Sequence, residues 1–169
     1  MSKKLLMGAI AALFLLSGCT DKAQVDAGSE YVDTKADGAS TVTISDPQVA
    51  NLVSRLEGLA KSIYFDFDQF DVKSSELNVI KNDADLFTST DAAGLSIKVE
   101  GNCDEWGTDE YNYALGLKRA KAVKDALVTN GVPENRITIV SYGETNPACT
   151  GSSKECWSKN RRVDFKLIP

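Results

Sequence analysis

From Asp46 to the C-terminus the apolar residues of this chain switch repeatedly between two spacings, and that alternation leaves few architectures open. Val49, Leu52, Val53, Leu56 and Leu59 recur at helical spacing behind Asp46, a residue suited to capping a helix, and Pro47, suited to its first position. Ser62 to Phe67 alternates as a strand. Ser74 and Ser75 open a second helix with Leu77, Ile80, Ala84 and Leu86 or Phe87 on its inner side. Leu95, Ile97 and Val99 alternate with polar neighbours, so the three face a core. A long helix from Tyr111 to Val128 is stopped by Gly131-Val132-Pro133. Ile137, Ile139 and Val140 mark a third strand, and Arg161 to Leu167 a fourth. Strands interleaved with helices predict an α/β (α+β) domain: a mixed four-stranded sheet with helices packed on one face.

Upstream the chain reads differently. Lys3 and Lys4 precede an apolar run from Leu5 to Leu16 and then Ser17-Gly18-Cys19, the order of a secretory signal. The run is too short to span a bilayer as a helix, which takes about twenty residues. Leu16-Ser17-Gly18-Cys19 resembles the bacterial lipobox, which implies S-diacylglycerol and N-acyl chains on Cys19 after cleavage before it. Each buried methylene adds about 0.8 kcal/mol, so two or more chains give stable anchoring. Thr20 rather than Asp follows the cysteine, which by the usual sorting pattern selects the outer membrane, with the domain facing the periplasm. Thr20 to Asp46 is mostly Asp, Ser, Thr, Gly, Ala and Lys and cannot bury enough apolar surface to offset its chain entropy. The organisation expected is a signal peptide over 1–18, a lipidated flexible tether over 19–46 and one domain over 47–169.

Composition narrows the function. The net charge of -5 becomes about -7 without Lys3 and Lys4, which argues against nucleic acid as a partner. The chain has no histidine, so His-based nucleophilic triads and His-containing zinc sites are excluded. With Cys19 lipidated, three cysteines remain for an oxidising compartment. Cys149 and Cys156 close a short loop and are expected to pair; Cys103 is left as a small buried residue at a strand end.

Asn112, Leu115 and Arg119 share one stripe of the long helix, and Asp104 follows the strand ending near Glu100. If that helix packs back over the sheet, Asp104 and Arg119 flank one pocket. Two readings stay open: a structural ion pair, or a site in which the acid accepts from a ligand ammonium while the guanidinium forks onto a carboxylate. A rival from another class is an enzyme using Asp104 with Glu105 or Glu100 as paired carboxylates, though neighbours on one strand or loop make a poor acid/base pair.

The stretch Val99-Glu100-Gly101-Asn102-Cys103-Asp104-Glu105-Trp106-Gly107-Thr108-Asp109-Glu110-Tyr111-Asn112, with Leu115-Gly116, Arg119-Ala120, Ile139-Val140-Ser141-Tyr142-Gly143-Glu144, Pro147 and Asn160-Arg161-Arg162-Val163, resembles the peptidoglycan-associated lipoprotein (Pal) group of the OmpA-like domain family. The upstream Tyr64-Phe65-Asp66-Phe67-Asp68-Gln69-Phe70-Asp71 fits the same pattern. The resemblance implies no enzymatic activity and no cofactor. It implies noncovalent binding of peptidoglycan through meso-diaminopimelate, tethering outer membrane to cell wall, with Tol system proteins such as TolB as partners. Asp104 falls on the family's ammonium-binding acid and Arg119 on its carboxylate-binding arginine; Phe67, Asp68, Asn112, Leu115 and Arg161 are implied as the pocket wall. Three positions depart: Asn102 stands where histidine is frequent, Cys103 lines the pocket, and Trp106 replaces a common arginine, offering an indole to sugar or partner. With both charged residues at a pocket rather than in the core, Asp104→Ala and Arg119→Ala are each expected to leave the domain folded.

Overall fold

A computed structural model describes residues 46–169. The predicted signal segment over 1–18, the predicted lipid site at Cys19 and the predicted tether up to residue 45 lie outside the described residues.

Helix α1 (Pro47–Leu59) starts where its cap predicts, with Asp46 Oδ1 accepting from the Gln48 N–H at 2.8 Å. Strand β1 (Ile63–Tyr64) is followed by a 3-10 turn (Ser74–Glu76), α2 (Leu77–Phe87), β2 (Ser96–Asn102), α3 (Asp109–Thr129), β3 (Ile137–Gly143), α4 (Lys154–Asn160) and β4 (Arg162–Ile168). The strands form one mixed sheet in the order β1-β4-β2-β3. β2 runs parallel to β3, joined through α3, and antiparallel to β4, with Ile97 opposite both Ile137 and Leu167.

Ile97 and Val99 of β2 with Val163 and Leu167 of β4 form the inner face of the sheet. Leu56, then Ile80, Ala84 and Phe87, then Ala120, Val123 and Leu127 come down on it from α1, α2 and α3. The helices therefore share one face, as the alternation predicts. The other face is polar: Lys98 bonds Glu100 at 2.8 Å and Arg162 bonds Asp164 at 2.8 Å. β1 covers only Arg162 and Val163 of β4, and farther along that edge Glu57 Oε1 of α1 accepts the Leu167 N–H at 2.8 Å. A side chain thus closes the ladder where a strand is missing.

Two expectations need correction. The strand predicted from Ser62 to Phe67 is only two residues long in ladder terms. Phe65 still points inward and its N–H reaches the Arg161 carbonyl at 3.0 Å, but the chain then turns, with Gln69 N–H donating to Asp66 O and Asp68 at φ 56°. Leu77 was expected inside and is 53% exposed; it is the first residue of α2, and the turn of the buried stripe next to Ile80 is taken up by the acid Asp83.

Backbone contact sets the height of α3 over the sheet. A Cβ on Gly101 would lie 1.9 Å from the Gly116 carbonyl oxygen, and one on Gly116 would lie 2.2 Å from Ser141 Oγ. Only glycine at both positions allows this approach. It carries Arg119, one turn on from Leu115, down to the ends of β1 and β2.

Candidate functional site

Beyond the end of β2, Asp104 lies buried at the floor of a cavity of about 270 Å3 whose walls are Phe67, Asp68, Trp106, Gly107, Tyr111 and Leu115. Its Oδ2 is bonded by Arg161 Nη1 at 2.8 Å, and Arg161 Nε reaches the Phe65 carbonyl at 3.1 Å. The pair is largely withdrawn from solvent, with side-chain exposures of 14% for Arg161 and 4% for Asp104. At the rim, Tyr111 OH donates to Asp68 Oδ1, and the carboxylate raises the phenol above its ordinary pKa by favouring the protonated form.

Arg119 is fully buried and does not line this cavity. The expectation that it stands across the pocket from Asp104 is corrected: Asp104 pairs with Arg161, and Arg119 makes no ion pair among the described residues. Its Nε donates to Gln69 O at 2.8 Å, Nη1 to Asn102 O at 3.0 Å and to Cys103 Sγ at 3.4 Å, and Nη2 to Asp66 O at 3.3 Å. The guanidinium also lies over the Phe65 ring, 5.3 Å from its centroid. Burial lowers its pKa, yet arginine remains charged. Arg119 therefore clamps the 66–69 turn to the end of β2. A guanidinium has five N–H groups, so one Nη2 hydrogen is left uncommitted.

Asn112 is likewise behind the wall rather than part of it. It is fully buried, with Nδ2 donating to the Asp104 carbonyl at 3.3 Å and to Glu144 Oε2 at 2.6 Å, while its Oδ1 has no donor among the described residues. It holds the Asp104 backbone in place. Cys103 is buried and has no disulfide partner among the described residues; burial pushes its thiol up to about 11, so it stays neutral, donating to the Asn112 carbonyl at 3.3 Å. Phe67, Asp68, Asp104 and Leu115 line the cavity as expected.

Arg161 enters from the far side of the sequence. Cys149 and Cys156 are disulfide-bonded, as their spacing predicts, and the loop they close leads into α4, capped by Ser153 on the Cys156 N–H at 3.2 Å. Asn160 clamps the loop start, accepting from Cys149 N–H at 3.0 Å and donating to Cys149 O at 2.8 Å. Arg161 follows directly. Sequence reasoning missed α4 and with it Trp157, because seven residues are too few for a helical period to register; Ser153 ahead of Lys154-Glu155 was the one available signal. Nor do the carboxylates converge as an acid/base pair: Glu100 bonds Lys98 on the opposite face of the sheet, and Glu105 accepts from Trp157 Nε1 at 2.9 Å. Among the described residues no group of His, Cys, Asp and Glu could hold a metal ion.

Residues 64–161 match the model of the OmpA family. The chain is 37% identical to the peptidoglycan-associated lipoprotein of Haemophilus influenzae over 94% of its own length and 92% of that protein. It is 36% identical to that of Pseudomonas putida, covering 92% and 91% respectively. The chain belongs to the OmpA family, in its peptidoglycan-associated lipoprotein branch. The crystal structure of the branch member from Burkholderia pseudomallei superposes with a TM-score of 0.61 at 37% identity, over 66% of this chain and 92% of that one. In this OmpA-family domain the matched span begins at β1 and ends at Arg161, so it contains every residue that shapes the Asp104 cavity.

Proposed function

We propose that the domain binds peptidoglycan noncovalently by taking the free end of a meso-diaminopimelate side chain into the Asp104 cavity, and that it tethers the outer membrane to the wall rather than acting on it as an enzyme. The observation that carries this is the buried Asp104 carboxylate, paired with Arg161 behind it, at the floor of a cavity walled by Phe67, Tyr111 and Leu115 with Asp68 at the rim. An amino acid head group brings an ammonium and a carboxylate, the two charges that such a pair is built to exchange for. Asp104 Oδ1 accepts no hydrogen bond among the described residues and is the acceptor for the ammonium, with Asp68 at the rim. The carboxylate is directed to Arg161, with the positive charge of the buried Arg119 behind the wall. Phe67, Leu115 and Tyr111 enclose the methylenes between.

The relatives' name, peptidoglycan-associated lipoprotein, supports the same reading of the ligand. Acyl chains on Cys19 supply the membrane end, the tether spans the gap, and Tol system proteins such as TolB are the expected protein partners. The test is co-sedimentation of the full-length protein with purified sacculi, comparing Asp104→Asn with the parent. Retention of the variant at parental levels would remove the Asp104 cavity from the reading.

A further inference from the structure

A second cavity, about 470 Å3, continues from the first across the shared residues Phe67, Asp104 and Trp106 and is completed by Lys154, Trp157 and Arg161. Its surfaces are of another kind from those of a head-group site. Trp106 is 52% exposed and Phe67 60%. The Trp106 and Trp157 rings meet edge to face, centroids 5.3 Å apart and planes at 80°, so the two indoles form a corner. The hydrogen bond from Trp157 Nε1 to Glu105 Oε1 fixes one wall of that corner before any ligand arrives, which reduces the ordering cost of binding. Around the aromatic surfaces stand polar groups with capacity to spare: Lys154 forms no ion pair among the described residues, and Glu105 keeps its second carboxylate oxygen.

We propose that this corner is a saccharide subsite, which holds a sugar ring of the glycan strand whose peptide stem occupies the Asp104 cavity; the inference rests on the wall-binding reading above. A pyranose has one face of C–H bonds and an equator of hydroxyls. The C–H face suits the negative face of an indole, and the hydroxyls suit donors and acceptors at the edge of the platform. A peptide segment would instead leave its backbone amides against two indoles with no ladder partner. Continuity through Phe67 and Trp106 makes the occupant part of the same polymer as the stem rather than a separate molecule.

The sequence contains two tryptophans, Trp106 and Trp157, and both line this cavity; Trp106 also lines the Asp104 cavity, so the emission change that the muramyl peptide adds to the tripeptide's reports on the subsite. The full-length protein in detergent is titrated with a diaminopimelate tripeptide and with the same tripeptide carrying N-acetylmuramic acid, following heat and tryptophan emission. The muramyl peptide should bind about three- to tenfold tighter. Trp157→Leu should abolish that gain while leaving tripeptide affinity unchanged, since Trp157 does not line the Asp104 cavity, and Trp157→Phe should keep most of it. Equal affinities in the parent, or a gain that survives Trp157→Leu, would overturn the subsite and leave the Asp104 cavity standing. Binding of neither ligand would overturn the wall-binding reading and the subsite with it.

Discussion

Arg161 Nη1 lies 2.8 Å from Asp104 Oδ2, joining a residue just beyond β2 to one 57 positions later just before β4. The contact exists because β2 and β4 are antiparallel neighbours, with Gly101 opposite Val163, so the exit of one strand and the entry of the other lie side by side. Either residue alone would be a buried charge without a partner, a loss of about 3 to 5 kcal/mol.

Asp104→Asn keeps the hydrogen bond from Arg161 but leaves that guanidinium without its counter-charge, so the domain should stay folded at somewhat lower stability while losing the anionic acceptor for an ammonium. In calorimetry the parent should prefer a diaminopimelate tripeptide to its lysine analogue, which lacks the second carboxylate, by about 2 to 4 kcal/mol. Equal affinity for the two peptides would leave the guanidiniums as structural groups only.

Arg119→Ala should be the more damaging variant for stability, contrary to what a pocket-wall residue would imply. It would orphan the carbonyls of Asp66, Gln69 and Asn102 and empty the space beside Phe65. A cost of about 3 kcal/mol or more is expected. Thermal melts should therefore fall well below those of Asp104→Asn. A melt equal to the parent's would mean that the 66–69 turn does not depend on this clamp.

Asp83 is buried on α2, with Oδ1 accepting the Lys61 N–H at 3.1 Å and Oδ2 without a donor among the described residues. Burial raises its pKa from 3.8 to about 6. An acid whose pKa is higher in the folded state favours folding when protonated, so its effect on stability falls as pH rises from about 4 to about 6 and is constant above. Two pKa units correspond to about 3 kcal/mol. Asp83→Asn should flatten this part of the stability profile and raise the melting temperature at pH 7. Denaturant titrations at pH 4 and pH 7 would decide it, and parallel profiles for parent and variant would exclude the effect.

Opening the Cys149–Cys156 disulfide should cost about 2.5 kcal/mol by loop entropy. The loss should centre on α4, which carries Trp157 and presents Arg161. Hydrogen exchange of Cys149→Ser/Cys156→Ser should accelerate in residues 149–161 before it does in β2. Uniform acceleration across the domain would mean that α4 does not open separately.

What the sequence determined by itself is whatever depends on local period and local chemistry. Leu95, Ile97 and Val99 alternate because a strand has a side-chain period of two, and Asp46-Pro47 begins a helix because those two residues satisfy or lack the orphan N–H groups of its first turn. Cys149 and Cys156 are close enough along the chain to find each other. The set of charged residues around the pocket was legible through the family pattern, but their partners were not. Spacing put Arg119 and Asp104 near one another, and could not say that Arg161, arriving from another strand, would take the acid. Only the tertiary structure decided that, because strand order and the Gly101–Gly116 contact set the depth of α3, and that depth sends Arg119 into backbone carbonyls rather than into the cavity.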